Sequence, residues 1–140
     1  MDQRVNMIMV GVTDIAILRE FYEHGLGWVP LGQTPSATSV MYKIGQSVLV
    51  LMPAEYLFAE SGITAANAPK SVWATFVSSK SEVDTQFAKA IKAGATVTSA
   101  VRERDGGLYS GYFADPEGNG WELVWSPHLQ IDTEGAFVLN

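Results

Sequence analysis

The chain of 140 residues contains the same series of segments twice. Each half starts with an apolar, β-prone run, continues with an amphipathic segment of helical period that ends at glycine, and closes with three short β-prone runs. The two series are offset by about 65 to 69 residues, and self-similarity at a fixed offset constrains the architecture more than a single motif does. The sequence therefore predicts one domain, residues 1–140, with an α+β fold of two tandem β-α-β-β-β modules at about residues 1–53 and 71–126.

The first module is predicted from its periodicity. Residues 5–12 are mostly apolar and β-tolerant, which predicts a strand buried on both faces or nearly so. Thr13 or Asp14 can cap the following helix, whose apolar positions from Ile15 onward recur at helical spacing until two glycines end the pattern. Three short strands then follow, separated by turn-forming residues: 28–31, 39–44 and 47–51.

The second module repeats this order after a connector. Residues 53–70 hold several small residues and are predicted to form a loop or a short helical segment. Residues 71–77 predict a strand, and SKSE at 79–82 is the sequence of a capping box, in which a serine and a glutamate cap each other's backbone amides. Apolar residues recur every four positions from Val83 to Ile91, which predicts a helix that the next glycine ends. The last three predicted strands are residues 96–102, 109–114 and 121–125.

The last two strands are joined by the turn DPEGNG, residues 115–120. Asp accepts hydrogen bonds from backbone amides two residues on, Pro presets φ for the first turn position, and Gly or Asn tolerates positive φ, so this turn predicts a tight hairpin. In the strand after it, side chains alternate between the two faces, and Glu122 lies on the face opposite to Trp121 and Trp125. A carboxylate in an otherwise apolar strand needs water, a ligand or a metal as its partner.

Three segments of the chain resemble the vicinal oxygen chelate superfamily, which includes glyoxalase I, extradiol dioxygenases and bleomycin-resistance proteins. VTDIAILREFYEHGLGW resembles the first strand–helix signature of this superfamily, FAKAIKAGATV its second helix, and FADPEGNGWEL its closing hairpin. The hairpin is the most specific of these segments, and the resemblance covers nearly the whole chain. It implies that Glu122 stands where metal-using members have a glutamate that binds the metal.

The resemblance further implies four metal-ligand positions, two in each module, which are usually His or Glu. In this chain they fall at Met7, near Val50, near Val72 or Trp73, and at Glu122. A thioether or an aliphatic side chain is a poor substitute for the imidazole or carboxylate that divalent ions prefer, and one carboxylate alone does not hold such an ion. We therefore expect no metal site and no other cofactor.

Because each module has one helix to cover one face of its sheet, the other faces are free to curl around a cavity, which we expect to be the site. Methionines suit an adaptable apolar wall. Tyr109 and Tyr112 can offer hydroxyl groups, but they lie three residues apart, so that at most one of them faces the cavity. The predicted ligand-binding residues are Met7, Met9, Val50, Val72, Ala74, Tyr109, Tyr112 and Glu122.

Glu122 is the candidate catalytic residue, because a carboxylate in a cavity can act as a general base or bind a cationic or hydrogen-bonding group. The structural alternative is a carboxylate paired with Arg102, Arg104 or a backbone amide. Both arginines also precede a Gly-Gly loop, which can either close over a ligand or form a solvated turn.

The composition argues against several classes of function. A formal net charge of −6, without a Lys/Arg-rich run, leaves little surface for nucleic acid. The absence of cysteine excludes disulfides and thiolate ligands and fits a reducing compartment. No run approaches the roughly 18 apolar residues of a membrane span, and the first residues lack the pattern of a signal peptide, so we expect a soluble cytoplasmic protein without a membrane partner. His24, at the end of a helix, and His128, in a loop, are expected at the surface.

The leading hypothesis is a metal-independent small-molecule binding protein, similar in design to the bleomycin-resistance group, and the resemblance implies a homodimer. The alternative is an enzyme, namely a lyase, isomerase or dioxygenase-like protein that uses Glu122 as acid or base or recruits a metal through His128 and water. A third interpretation is a noncatalytic interaction subunit without an ordered cavity. A Glu122→Gln substitution separates the first two, since catalysis should fail while apolar binding should survive.

Overall fold

The chain divides into two units, Met1–Lys70 and Ser71–Asn140. Their structure comes from a computed structural model, which describes residues 3, 5–32, 38–62 and 71–138. Each unit contains a mixed sheet with a helix between its first and second strands. The predicted α+β fold of two tandem modules is therefore confirmed, whereas the predicted assembly of both into a single domain stays a prediction.

In the first unit a three-stranded sheet has the order β1-β3-β2. Strand β1 runs parallel to β3, and β2 runs antiparallel to it. The elements are β1 (Met7–Val12), α1 (Ile15–Arg19), a π-helical turn (Glu20–Gly25), β2 (Val40–Ile44), β3 (Ser47–Pro53) and α2 (Ala54–Ser61). The last of these lies in the predicted connector, part of which, residues 63–70, is outside the described residues.

The strand predicted at residues 28–31 is wrong. In its place the structure has an isolated bridge between Pro30 and Tyr42, with one hydrogen bond of 2.7 Å from the Leu31 amide to the Met41 carbonyl. Proline has no amide hydrogen to donate, and this shortens the ladder that a strand here can form.

The first helix is capped by Asp14, one of the two predicted candidates. Its Oδ1 atom accepts hydrogen bonds from the amides of Ala16 (3.0 Å) and Ile17 (3.2 Å). The π-helical turn continues α1, and it places Phe21 and Tyr22 in the core of the unit, where they are 1% and 0% exposed. This core lies between the helix and one face of the sheet.

The prediction that β1 is buried on both faces is wrong. Met7 and Met9 are 46% and 52% exposed, because they lie on an edge strand and on the face that α1 does not cover. Leu49 and Leu51, on the opposite face of the central strand β3, are 1% and 0% exposed. The apolar sequence of β1 thus supplies one face that is partly buried and ends at the buried Val12, and one that is half open to solvent.

In the second unit a four-stranded sheet has the order β4-β7-β6-β5. Its first strand runs parallel to its last, as in the first unit, and the other pairs are antiparallel. The elements are β4 (Val72–Phe76), α3 (Lys80–Ala93), β5 (Thr96–Glu103), a short 3₁₀ turn (Asp105–Gly107), β6 (Tyr109–Ala114) and β7 (Gly120–Trp125). The same order of pairing in both sheets is the structural form of the repeat in the sequence.

Helix α3 begins and ends close to where the sequence predicts, but its capping box is only half formed. The Ser79 hydroxyl accepts a hydrogen bond of 3.1 Å from the Glu82 amide. The Glu82 carboxylate, however, accepts from the amide and hydroxyl of Ser78 instead of from the Ser79 amide. At the other end, Gly94 adopts a left-handed φ of 115° that closes the helix.

The hairpin between β6 and β7 forms around Asp115, which is 2% exposed. Its Oδ1 atom accepts hydrogen bonds of 2.9 Å from the amides of Glu117 and Asn119, and its Oδ2 atom accepts one of 2.7 Å from the Asn119 side chain. Gly118 has a φ of 87°. The predicted turn chemistry therefore accounts for the hairpin, which sets the register of β7 against β6.

Candidate functional site

The sheet of the second unit has one face covered by α3 and one that no helix in the described part of this unit covers. On the α3 face, the ring of Phe113 lies 5.9 Å from Phe87 of the helix and 6.4 Å from Trp121 of β7. Glu122, the next residue along β7, lies on the other face. Its neighbours across the sheet are Ala74 of β4 and Tyr112 of β6. We call this surface, with its central row Ala74, Glu122 and Tyr112, the helix-free face of the second unit.

The two tyrosines of β6 lie on opposite faces, as the alternation of a strand requires. The Tyr109 hydroxyl donates a hydrogen bond of 2.8 Å to Asp84 of α3, and the Lys80 ammonium lies 5.6 Å from the centre of its ring. Tyr112 lies beside Glu122. The structure therefore brings Tyr112 to the predicted site and places Tyr109 against the helix.

Tyr112 and Glu122 interact electrostatically. The pKa of the Tyr112 hydroxyl is raised, first by its hydrogen-bonding interaction with the Glu122 carboxylate and then by burial and by the negative charge of Glu122. The nearby positive charge of Arg104 acts in the opposite direction. Tyr112 therefore stays protonated at neutral pH and is available as a hydrogen-bond donor to the carboxylate. Within the described residues, neither Arg102 nor Arg104 forms an ion pair with Glu122.

The side chain of Arg104 folds back over the edge of this face. Its Nε atom donates to the Ser110 hydroxyl (2.8 Å), and its Nη2 atom donates to the Ser99 hydroxyl (3.0 Å) and to the carbonyls of Ser110 (3.2 Å) and Ala100 (3.3 Å). The guanidinium carbon lies 4.8 Å from the centre of the Tyr112 ring, a cation–π distance. A cation, a phenol and a carboxylate thus lie next to one another on one face.

The far end of the helix-free face is covered by the segment after β7. The ring of Phe137 packs edge-on against Phe76 at 4.7 Å. Phe76 is the neighbour of Val124, and Val124 is the neighbour of Ser110; these last two are 1% and 0% exposed. Val72, at the other end of β4, is 55% exposed. The open part of the face is therefore the part that contains Val72, Ala74 and Glu122.

In the first unit, three predicted residues share the face that α1 does not cover. Met9 pairs with Val50 across the sheet, and Met7 lies two residues before Met9 on the same strand. Val50 is only 5% exposed because it lies in the central strand, between Met9 and Met41. The side chains at these three positions are all apolar, so they can contact a ligand but cannot select it by hydrogen bonds.

A shallow, open cleft also occurs in the first unit, beside the start of α1. None of the predicted site residues contributes to its lining, which consists of Val12, Thr13, Ile15, Thr38 and Pro53.

The residues at the four metal-ligand positions do not fit a divalent ion. The alternative of Val72 or Trp73 resolves to Val72, because Trp73 packs on Trp121 of the opposite face at 5.0 Å and Val72 shares the face of Glu122. Three of the four positions are then Met7, Val50 and Val72, none of which supplies an oxygen or nitrogen ligand. In the described part of the chain, no group of three or more His, Cys, Asp or Glu side chains is placed to hold a metal.

Neither histidine adds a ligand to this set. The Nδ1 atom of His24 lies 2.6 Å from Glu20 on the exposed side of the π-helical turn. His128 is exposed, and its backbone amide donates to the Ser126 hydroxyl. Both lie at the surface, as predicted.

A sequence model described as the Glyoxalase/Bleomycin resistance protein/Dioxygenase superfamily matches residues 4–123. The chain belongs to this superfamily. The resemblance of the strand–helix signatures and the closing hairpin is thereby confirmed. A comparison with curated proteins found no match.

Solved structures of the superfamily show the same fold. A glyoxalase-related enzyme from Fulvimarina pelagi is 27% identical, with a TM-score of 0.86 over 98% of each chain. A glyoxalase/bleomycin resistance protein/dioxygenase family enzyme from Burkholderia phytofirmans PsJN is 23% identical, with a TM-score of 0.71 over 86% of this chain and 96% of that one. Lactoylglutathione lyase from Agrobacterium tumefaciens is 21% identical, with a TM-score of 0.66 over 89% of this chain and 94% of that one. At the identities of the last two, the likeness concerns the fold alone.

Sequence reasoning did not place Arg104, Ser99 and Ser110 in the site. The signal that could have indicated Arg104 is the alternating charge of the run Arg102, Glu103 and Arg104. Its central glutamate forms an ion pair with Lys80 of α3, and an arginine stands on each side of it. Strand β5 has irregular register on both sides of Ser99, so a strict two-residue period cannot be extended along it to Arg104.

Proposed function

We propose that this member of the superfamily is a metal-independent small-molecule binding protein that uses Glu122 and Tyr112 as its polar anchor. The observation that carries the proposal is the state of the Glu122 carboxylate, which lies half-buried between Ala74 and Tyr112 on the helix-free face of the second unit. A carboxylate can accept about four hydrogen bonds. Among the described residues only the Tyr112 hydroxyl interacts with it in this way, so acceptor capacity remains for a ligand.

The proposal assigns apolar contacts with the ligand to Val72 and Ala74, which share the face of Glu122 in the second unit. The ligand-binding role of Met7, Met9 and Val50 in the first unit stays a separate prediction. Tyr109 is left out, because its hydroxyl is bonded to α3. Members of the superfamily bind small molecules, and the chain has no helix in its described part that is long and apolar enough to cross a membrane. The proposal includes a homodimer in the cytoplasm, which the resemblance and the composition suggest.

Metal independence is tested by elemental analysis of the purified protein, followed by thermal unfolding with Mn, Fe, Ni, Co and Zn salts. We expect less than stoichiometric metal. We also expect that the salts leave the midpoint of unfolding unchanged, in the wild type as in Glu122→Ala, since a single carboxylate does not hold a divalent ion. Stoichiometric metal, or a stabilisation that Glu122→Ala removes, would contradict the proposal.

The adjacent carboxylate and phenol also favour a second candidate function, an enzyme of the lyase, isomerase or dioxygenase-like kind. Glu122 can take up a proton as a general base, and Tyr112, kept protonated by its raised pKa, can donate one. Glu122→Gln keeps the shape of the side chain and removes the base. If the protein is an enzyme, turnover falls by about 100-fold or more in this variant. If it is a binding protein, Glu122→Gln lowers the affinity for a ligand that donates a hydrogen bond to the carboxylate and leaves the affinity for a purely apolar ligand almost unchanged. Equilibrium dialysis measures both affinities.

A further inference from the structure

The guanidinium group of Arg104 is fixed in place by neutral partners. Four hydrogen bonds hold its Nε and Nη2 atoms to hydroxyl and carbonyl oxygens of Ser99, Ala100 and Ser110. Ser110 is fully buried, and the loop that starts at Arg104 is closed by a hydrogen bond of 2.7 Å from the Arg104 amide to the Leu108 carbonyl. The charged group is therefore positioned before any ligand arrives.

This arginine differs from the other fixed cations of the described chain. Arg19 forms an ion pair with Glu23 at 2.7 Å, and Lys80 forms one with Glu103. Arg104 has no carboxylate within ion-pair distance among the described residues, and its Nη1 atom donates to none of them. A partly buried charge held only by neutral dipoles is expensive to maintain, and a guanidinium with free donors matches the oxygens of a carboxylate or phosphate.

The position of Tyr112 relates this cation to the proposed anchor. Its ring lies under the guanidinium at 4.8 Å, and its hydroxyl interacts with Glu122 on the other side. The protein as a whole is acidic, with a net charge of −6, so this small basic position is unlike its general surface. A ligand on the helix-free face therefore meets a cation over the ring of Tyr112 and a hydrogen-bond acceptor beside the hydroxyl of the same residue.

We propose that Arg104 binds an oxyanion, so that the natural ligand is a small organic molecule with a carboxylate or phosphate group and, beyond it, a hydrogen-bond donor that reaches Glu122. This inference deepens the proposed function and rests on it, because it names the class of ligand that the same face takes. Arg104 is the residue that determines specificity for the anion, while Tyr112 and Glu122 position the remainder of the molecule.

The test compares pairs of small aromatic probes, each with an anionic and a neutral member: benzoate with benzamide, phenylacetate with phenylacetamide, and phenyl phosphate with phenol. Binding is followed by backbone amide chemical shifts of the isotope-labelled protein at constant ionic strength. We expect the anionic member of at least one pair to bind at least about tenfold more tightly than its neutral partner, with shifts at Ser99, Ser110 and Tyr112. In Arg104→Gln this preference should disappear, and in Arg104→Lys it should be partly retained.

Arg102→Gln is the matched control, because it removes the same charge two residues away and leaves the fixed guanidinium in place. Its affinity for the anions should change less than about twofold, since an exposed charge is screened by salt. The amide spectrum of each variant shows whether its fold is intact, and Arg104→Lys serves if Arg104→Gln does not fold.

Each contrary outcome has a distinct meaning. If neutral and anionic probes bind equally, and both shift residues around Glu122, the anion inference is wrong and the proposed binding function stands. If Arg102→Gln weakens the anions as much as Arg104→Gln does, the attraction is diffuse and the assignment to Arg104 is wrong. If none of the probes binds at millimolar concentration, the anion inference is wrong, and a panel of larger neutral and cationic ligands then decides the proposed function separately.

Discussion

At the residue scale, the first unit contains a buried tyrosine whose hydrogen bond requires the protonated hydroxyl. Tyr42 is 1% exposed, and its hydroxyl donates a hydrogen bond of 3.0 Å to Glu23. Burial, and then this carboxylate, raise the pKa of Tyr42 well above its usual value of 10.0. The pKa of Glu23 is lowered, mainly by the hydrogen bonds from Arg19. The pair is thus a neutral donor and a charged acceptor over the whole neutral range.

We predict that this pair makes folding sensitive to alkaline pH. Since the pKa of Tyr42 is higher in the folded chain than in the unfolded one, its contribution to the free energy of unfolding is complete below about pH 10 and is lost as the pH rises toward the folded pKa. Tyr42→Phe should lower the free energy of unfolding at pH 7 by about 1–3 kcal/mol and flatten its decline above pH 10. Urea unfolding at a series of pH values from 7 to about 11.5 measures both effects.

Tyr112→Phe is the control for this prediction, because Tyr112 also has a raised pKa but is more exposed. An equally steep alkaline decline in Tyr42→Phe and in the wild type would show that Tyr42 is not its source.

At the scale of elements, α3 approaches the sheet closely at a single glycine. A Cβ atom on Gly111 of β6 would lie 2.6 Å from Phe87 of the helix and 2.6 Å from Val101 of β5, closer than atoms can pack. Gly111 has no positive φ, so the requirement for glycine here concerns space and not backbone conformation. The distance between α3 and the sheet, and hence the position of β7 with Glu122, depends on this contact.

We predict that Gly111→Ala lowers the free energy of unfolding by about 1–3 kcal/mol, because the added methyl group overpacks the interface. In a protein that already carries Phe87→Leu, adding Gly111→Ala should lower the free energy of unfolding by at least about 1 kcal/mol less than it does in the wild type, since the smaller side chain makes room. Chemical denaturation of the four variants of this double-mutant cycle gives the coupling. If the two substitutions change the free energy of unfolding additively, the Phe87 side chain is not what excludes the added methyl group.

At the scale of the whole molecule, each unit has its own buried core, and apolar side chains on the sheet face opposite that core remain open to solvent. Met7, Met9 and Val72 are 46%, 52% and 55% exposed. Exposed apolar residues grouped on a sheet face are typical of a ligand site or of an interface between subunits. The resemblance to the superfamily favours a homodimer that covers part of this surface.

We therefore predict that the sedimenting species has twice the mass of the 15.2 kDa chain. Sedimentation velocity over a concentration series from about 0.5 to 50 µM should show a dimer that persists at the lowest concentration, as expected of an interface that buries apolar sheet residues. A monomer throughout this range would contradict the homodimer and leave the exposed faces to a ligand.

Much of the fold followed from the sequence, because the signals that specified it act over a few residues. Asp14 and Ser79 cap their helices, Gly94 ends α3, and the turn around Asp115 forms through hydrogen bonds within five residues. Such bonds depend little on distant parts of the chain, and so the repeat, the face of Glu122 and the order of elements apart from the strand at residues 28–31 could be predicted from the sequence by itself.

The tertiary structure alone decided which other elements each strand and helix packs against. The apolar sequence of β1 did not reveal that Met7 and Met9 lie on an uncovered edge, because burial depends on a helix and strands many residues away. In the same way, the irregular register of β5 and the fold of the following loop bring Arg104 onto Ser110 and Tyr112. The sequence determined the two modules and the carboxylate between apolar neighbours. Only the irregular pairing of β5 with β6 and the fold of the loop after β5 placed a guanidinium over the ring of Tyr112, whose hydroxyl interacts with that carboxylate, because such irregularities depend on packing and not on a residue pattern.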